Sequence, residues 1–319
     1  MNATLAAAES FFCLDAVTPL QVLDIPEARK QGVRLQIKRD DMTHPIVSGN
    51  KYRKLKYNVF SALQQNFGTL LSFGGSFSNH IHALSAVGKI LGINTIGIIR
   101  GEESYAENPT LSFAAGQGMR LCFVNREEYR QKETEQFVTK LRDRFGEFYI
   151  IPEGGSNEYA LRGCQELAEE IYSQCSETNY ICAACGTGAT IAGMSVAAAE
   201  LERGSVIGFP VLKAEGFFER EISAYLAPNV NKSWQLVSDY HFGGYAKLNR
   251  DLLSFKSDFE TRTAVPLDPI YTAKMVYGVF DLLNKGFFPR GSVVTMLHSG
   301  GLQGNAGLDT VLKRNRVES

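Results

Sequence analysis

No apolar run in the sequence approaches the ~20 residues that a membrane-spanning helix needs, so the chain reads as one without a membrane partner. Cysteine is scarce. Six in 319 residues do not make a disulfide scaffold. Neither sign of charge dominates: Lys and Arg total 33, Asp and Glu 34, and the net charge is -1. That balance argues against a broad nucleic-acid surface, although it leaves room for a local basic patch. The start, Met1-Asn2-Ala3-Thr4-Leu5, lacks the basic region of a secretory signal, and there is no internal repeat, low-complexity tract or Pro/Ser-rich linker. What is present is 44% hydrophobic and 21% charged residues, the make-up of a globular chain with a sizeable core. At ~150 residues per domain, its length suits two domains or lobes. Composition therefore points to a cytoplasmic protein, and the expectation it favours is an enzyme.

Short β-like runs alternate with longer helix-like runs almost throughout. Strands are expected at 33–38, 69–73, 94–99, 119–124, 148–151, 179–183, 206–209 and 292–296. Helices are expected at 50–65, 79–91 and 158–174, with one long charged amphipathic helix from Arg126 to Phe145. This rhythm is that of parallel sheets with right-handed crossovers. There are too many strands for one unit of average size, so the expected fold is α/β with two doubly wound open-sheet lobes. Such folds bind ligands beyond the carboxyl ends of the strands, where loops meet helix N-termini.

Three segments at helix starts carry chemistry. Cys185-Gly186-Thr187-Gly188-Ala189-Thr190 follows an apolar strand and precedes a small-residue helix. Its glycines let backbone N–H groups curl around an anion, and the helix start adds positive charge. A tight turn holding nothing is the alternative. The loop is neither a Walker A nor a full dinucleotide fingerprint. Ser48-Gly49-Asn50-Lys51-Tyr52-Arg53-Lys54-Leu55 places a lysine at a helix start. The helix dipole there disfavours an ammonium, which makes Lys51 a candidate amine nucleophile; two solvated lysines are the bland reading. Gly74-Gly75-Ser76-Phe77-Ser78-Asn79-His80 offers a hydroxyl, an amide and free N–H groups to a carboxylate, or else only a helix cap. Cys182-x-x-Cys185 spans a strand end without a second CxxC and reads as structural. His80-x-His82 does not put both rings on one helical face, so no metal site is expected. His298 ends the last strand near the expected crevice, with no role assignable from spacing.

Taken in order, these segments resemble the fold-type II pyridoxal-phosphate enzymes, and within them the 1-aminocyclopropane-1-carboxylate deaminase/D-cysteine desulfhydrase family. The resemblance covers nearly the whole chain. It rests on the Asn50-Lys51-x-Arg53-Lys54-Leu55 run, on Gly74 to His80, on the Gly186–Thr190 loop, on Leu267-Asp268-Pro269-Ile270-Tyr271-Thr272-Ala273-Lys274, and on His298-Ser299-Gly300-Gly301. It implies a tryptophan-synthase-β-like architecture. The larger domain would bind pyridoxal 5'-phosphate from residues 1–52 and 160–319, and the smaller would span 53–159. Family members are usually homodimers acting on small amino acids.

The resemblance also implies roles. Lys51 would hold the cofactor as a Schiff base and move the substrate's α-proton. Lys54 with Gly186, Thr187, Gly188, Ala189 and Thr190 would neutralise the phosphate. Asn79 would contact the ring's phenolic oxygen, and Ser78 with its neighbours would hold the substrate carboxylate. Tyr271, and by looser alignment Tyr245 in Gly243-Gly244-Tyr245, would stand over the substrate as acid or base.

The chain departs from the family pattern at His80, where the family has glutamine beside the carboxylate pocket, and around Tyr245. Thr272 stands where cyclopropane deaminases resemble a glutamate. A neutral hydroxyl leaves the pyridine nitrogen largely unprotonated. That favours a D-cysteine desulfhydrase-like α,β-elimination to pyruvate, ammonia and sulfide over cyclopropane-ring opening. A racemase or dehydratase, a nucleotide-binding protein using the 186–189 turn, and an inert cofactor binder are the rival readings.

Overall fold

The computed structural model describes residues 2–13, 17–227, 230 and 233–305. Two sheets carry the chain. The first has six strands in the order β1 (Leu20–Leu23), β2 (Arg34–Lys38), β10 (Val293–Leu297), β7 (Tyr180–Cys185), β8 (Ser205–Pro210) and β9 (Trp234–Leu236). Only β1 runs antiparallel to its neighbour. The second has four parallel strands in the order β5 (Arg120–Val124), β4 (Asn94–Arg100), β3 (Thr69–Gly75) and β6 (Tyr149–Ile151).

Parallel strands covered on both faces read as continuous apolar runs, which is why segments such as Leu70-Leu71-Ser72-Phe73 were legible as strands. One face of the six-stranded sheet packs against α2 (Pro26–Gln31), α11 (Arg250–Thr263) and α12 (Thr272–Asn284). Its other face packs against α8 (Glu158–Gln174), α9 (Ala189–Glu200) and α10 (Phe217–Tyr225). The four-stranded sheet is covered by α1 (Asn2–Phe11), α3 (Asn50–Gln64), α4 (Asn79–Leu91) and α5 (Pro109–Gly116) on one face. Residues Tyr129, Phe137 and Leu141 cover the other. Each fully buried Leu, Val or Phe of these layers contributes about 1.5–3 kcal/mol. The chain thus forms two doubly wound α/β sheets. It crosses between them repeatedly, because α1 packs with the four-stranded sheet before β1 and β2 join the other. We propose that the two domains follow the two sheets.

The expected long helix from Arg126 to Phe145 is two helices, α6 (Arg126–Arg130) and α7 (Glu135–Phe145). Two N-caps divide it. Asn125 forms a capping box with Glu128, and Thr134 accepts from the Phe137 N–H. A cap satisfies N–H groups that have no intrahelical partner, so Thr134 starts a new helix rather than continuing the old one.

The start of α3 is fixed to the six-stranded sheet. Gly49 has φ +65, and a β-carbon there would lie 2.0 Å from the Ser299 carbonyl oxygen, so only glycine allows this approach. The Gly49 N–H donates to the Asp40 carbonyl at 2.9 Å and the Asn50 N–H to the Ser299 carbonyl at 3.2 Å. One turn on, the Arg53 guanidinium bridges Asp40 and Glu170, each at 2.8 Å. Glu170 also receives Lys38 at 2.5 Å. All four side chains are largely out of water, so each charge depends on its partner.

Candidate active site

A cavity of about 920 Å³ opens at the carboxyl ends of strands from both sheets. Gly75 ends β3, Arg100 ends β4, Glu153 and Gly154 follow β6, Cys185 ends β7 with Gly186 next, and Ser299 and Gly300 follow β10. Of the expected site residues, Lys51, Lys54, Ser78, Asn79, His80, Gly186, Thr187, Gly188, Thr190, Tyr245 and Tyr271 all line it. Ala189 and Thr272 are wholly buried beside this lining.

Two lysines, one turn apart on α3, face the cavity. The Lys51 Nζ has one weak contact, to the Gly154 carbonyl at 3.4 Å. Burial, reinforced by the positive charge of Lys54, brings its pKa down to about 7. Lys54 is enclosed, and burial lowers its pKa as well. Its Nζ lies 3.3 Å from both Ser156 Oγ and Thr187 Oγ1, which are 2.6 Å from each other. Among the described residues, no carboxylate lies within ion-pair distance of either lysine.

The α9 N-terminus opens beside them. Its N-cap is Gly188 with φ +85 and no side-chain cap. The N–H groups of that first turn, the Thr187 and Thr190 hydroxyls and the Lys54 ammonium make a cradle for an anion. Asn50 ties the two helix starts together through a 3.3 Å bond to Thr190 Oγ1.

On the opposite wall, Ser78 caps α4 by accepting from the Ile81 N–H at 3.3 Å. The capping reading and the cavity-lining reading therefore both apply to it. Asn79 Oδ1 receives Gln303 Nε2 at 3.0 Å. His80 turns its ring inward, with Nε2 2.9 Å from Ser72 Oγ, and burial holds its pKa well below the usual value.

Tyr271 and Tyr245 meet edge-on with ring centroids 6.1 Å apart. A β-carbon on Gly186 would lie 3.0 Å from the Tyr271 ring, which brings the ring over the anion loop. Burial raises the pKa of both phenols, that of Tyr271 well above its ordinary value. Asp268 fixes the turn before α12 by accepting from the Ile270, Tyr271 and Thr272 N–H groups at 3.0, 2.8 and 2.8 Å. Lys274 holds the Tyr245 loop, donating to the His241 and Gly244 carbonyls at 2.9 and 2.8 Å.

Residues 14–300 match the family model for pyridoxal-phosphate dependent enzymes. The chain belongs to that family. It is 32% identical over 300 residues, 90% of each chain, to a Pyrococcus abyssi (strain GE5 / Orsay) protein provisionally named a 1-aminocyclopropane-1-carboxylate deaminase. It is 30% identical over 320 residues to the mitochondrial bifunctional D-cysteine desulfhydrase/1-aminocyclopropane-1-carboxylate deaminase of Arabidopsis thaliana, covering 90% of this chain and 77% of that one. A crystal structure of an ACC deaminase homologue superposes with a TM-score of 0.82 at 26% identity, over 98% of this chain and 99% of the other. The fold is thus that of the fold-type II pyridoxal-phosphate enzymes. The chain is a pyridoxal-phosphate-dependent enzyme of the group that holds both activities.

The residues present fit that cofactor. Beside a helix start without a side-chain cap, the Lys54 ammonium suits a phosphate, and Lys51, with its pKa brought down to about 7, offers an amine to a carbonyl group. The Thr272 Oγ1 is buried without a hydrogen-bond partner among the described residues, and a buried hydroxyl requires one.

His298 does not face the cavity. Its Nε2 bonds the Pro266 carbonyl at 2.6 Å and its Nδ1 receives the Gly300 N–H at 3.3 Å, so Ser299 and Gly300 form the wall instead. His80 and His82 part company, since His82 stacks on Phe113 at 4.0 Å. Burial raises the pKa of both Cys182 and Cys185, the latter to about 12. Sequence reading missed Gly154 and Ser156, which touch Lys51 and Lys54. The available signal was Gly154-Gly155 between a strand and a helix, the same punctuation as at Gly74-Gly75. Among the described residues, no helix is long and apolar enough to cross a membrane.

Proposed function

We propose that this enzyme is a D-cysteine desulfhydrase-like lyase that converts a small β-substituted amino acid by α,β-elimination. For D-cysteine, one water is consumed and pyruvate, ammonia and hydrogen sulfide leave. When bound, the cofactor withdraws electrons from the substrate's α-carbon. The protein supplies position, charge and proton transfer.

Lys51 would hold the cofactor covalently and, once displaced by the substrate amine, take the α-proton at Nζ. A lysine with a pKa of about 7 is an amine as often as an ammonium near neutrality, which suits a base. Lys54, Thr187, Thr190 and the α9 N-terminus would hold the phosphate. Asn79 would bond the ring's phenolic oxygen, and Ser78 with the first N–H groups of α4 would hold the substrate carboxylate. Tyr271 stays a phenol because burial raises its pKa, so it would donate its proton to the departing sulfur.

The observation that carries the choice of branch is the unpartnered neutral hydroxyl of Thr272. A hydroxyl donates a hydrogen bond to a ring nitrogen without leaving its proton there, which makes the ring a weaker electron sink than a carboxylate partner would. Expulsion of thiolate asks less of that sink than opening a cyclopropane C–C bond.

Initial rates on D-cysteine, L-cysteine, β-chloro-D-alanine and 1-aminocyclopropane-1-carboxylate, at equal cofactor saturation, test the reading. Faster turnover of the cyclopropane amino acid than of every β-substituted one would overturn it. Borohydride reduction followed by peptide mapping tests Lys51 itself, and cofactor fixed to another lysine would remove that assignment.

A further inference from the structure

His80 is held in one tautomer by the four-stranded sheet. Ser72 has a single hydroxyl proton, and its Oγ lies 2.7 Å from the carbonyl oxygen of Ile151, its register partner across β3 and β6. The hydroxyl therefore donates to Ile151 and has only a lone pair left for His80 Nε2, 2.9 Å away. Nε2 must carry the hydrogen. Nδ1 is then a bare acceptor. It is buried and unpartnered in a residue 2% exposed, and that residue lines the cavity. Lys51 reaches the neighbouring spot, because its Nζ contacts the Gly154 carbonyl and the next residue, Gly155, packs against His80. A β-carbon on Gly155 would lie 3.2 Å from Cε1 and 3.5 Å from Nδ1 of that ring.

We propose that His80 is a positioning residue for Lys51: its Nδ1 accepts a hydrogen bond from one water that the Lys51 Nζ in turn holds, whenever that nitrogen is not joined to the cofactor. The link exists only while Lys51 is free of the cofactor, and it aims the amine for proton transfer instead of letting a long flexible side chain wander. The inference rests on the proposal that Lys51 carries the cofactor.

The titratable groups around Lys51 are Lys54 on its own helix, Cys164 on α8 and His80 on α4. Burial and the two lysine charges keep His80 neutral. A neutral acceptor favours the ammonium over the amine, so losing it moves the lysine's titration to lower pH.

The experiment strips cofactor from the full-length protein and follows reductive methylation of Lys51 against pH by peptide mapping. In His80→Leu the midpoint should fall by about one unit, a tenfold change in ammonium-to-amine ratio. His80→Gln, which offers an amide oxygen, should stay close to the wild type. Ser72→Ala frees the ring to place its hydrogen on Nδ1 and should shift the midpoint in the same direction as His80→Leu, which keeps the test alive if the latter does not fold. Unchanged midpoints in His80→Leu or Ser72→Ala, or a His80→Gln profile like that of His80→Leu, would overturn the proposal. Borohydride mapping of the holoenzyme separates this from a wrong cofactor lysine, because the midpoints report on the Lys51 environment whichever lysine is fixed.

Discussion

Arg53 Nη2 lies 2.8 Å from Asp40 Oδ1, and through that contact the helix that bears Lys51 is fastened to the six-stranded sheet. The same guanidinium binds Glu170. Removing it leaves the buried Asp40 carboxylate without its cation and Glu170 with Lys38 alone. We expect Arg53→Met to destabilise the protein by about 3–5 kcal/mol, the cost of breaking a buried ion pair from one side. Urea unfolding monitored by circular dichroism measures it. A loss under 1 kcal/mol would show that water reaches these carboxylates.

Lys54 should matter to cofactor retention more than to folding. Among the described residues its ammonium bonds two hydroxyls, those of Ser156 and Thr187. A charge-assisted hydrogen bond to phosphate contributes about 1.5–3 kcal/mol. Lys54→Met should therefore weaken pyridoxal phosphate binding roughly ten- to hundredfold. Equilibrium dialysis reads the loss, and an unchanged dissociation constant would take Lys54 out of the phosphate site.

The buried lysines also set a pH dependence in the cofactor-free protein. The folded-state pKa of Lys51 is about 7, below the ~10.4 of an unfolded lysine. Between those values the unfolded chain binds the extra proton, so stability rises with pH across that window. Below about pH 7 both states are charged and the penalty stays constant. Lys54 is shifted in the same direction. Lys51→Met should flatten the rise from pH 7 to 10 in thermal or urea unfolding. An equally steep rise in the variant would assign the slope elsewhere.

Much of this site was legible because it is built from local units. Ser78 and the 186–190 loop each sit where an apolar strand breaks at glycine and a helix begins, and parallel sheets gather such breaks at one end; Lys51 sits at a helix start just after Gly49. What was not legible depends on distant partners. Arg53 finds Asp40 13 residues away and Glu170 117 residues away, and nothing local to Arg53 announces either. The inward turn of His298 toward Pro266 is set by a loop 32 residues distant. The break within Arg126–Phe145 was local, but Thr134 reads as a cap only when the N–H groups beyond it are followed. Ser156 escaped notice because its neighbour Thr187 arrives from the other sheet's loop.

Tyr271 should act as an acid whose value depends on the leaving group. Thiolate gains from a proton as it departs, whereas chloride does not. A positioned acid contributes about 10²–10⁴-fold. Tyr271→Phe should therefore lower kcat on D-cysteine by about 10²-fold or more and on β-chloro-D-alanine by far less. Equal losses on the two substrates would make Tyr271 a packing residue against Gly186 rather than an acid. Tyr245→Phe should have the smaller effect, because Tyr245 is 40% exposed, whereas Tyr271 packs against Gly186 of the anion loop.

Thr272 offers the sharpest test of the branch. Its hydroxyl is wholly enclosed at the start of α12, directly after Tyr271, and has no partner among the described residues. A glutamate there would bring a carboxylate able to keep a proton on a ring nitrogen, which strengthens electron withdrawal from the α-carbon. It would also bury a charge, and a buried carboxylate without a partner is costly. Thr272→Glu should therefore lose stability without cofactor and regain much of it when pyridoxal phosphate is added, since the ring supplies the missing partner. We expect its kcat/KM on D-cysteine to fall and any turnover of the cyclopropane amino acid to rise relative to wild type. Thr272→Val removes the hydroxyl and keeps the volume, so it should reduce cofactor affinity and elimination without opening the ring. Paired kinetics and melting curves with and without cofactor distinguish these outcomes. If Thr272→Glu is rescued no better by cofactor than Thr272→Val, then Thr272 does not face the ring, and the choice of elimination over ring opening loses its physical basis.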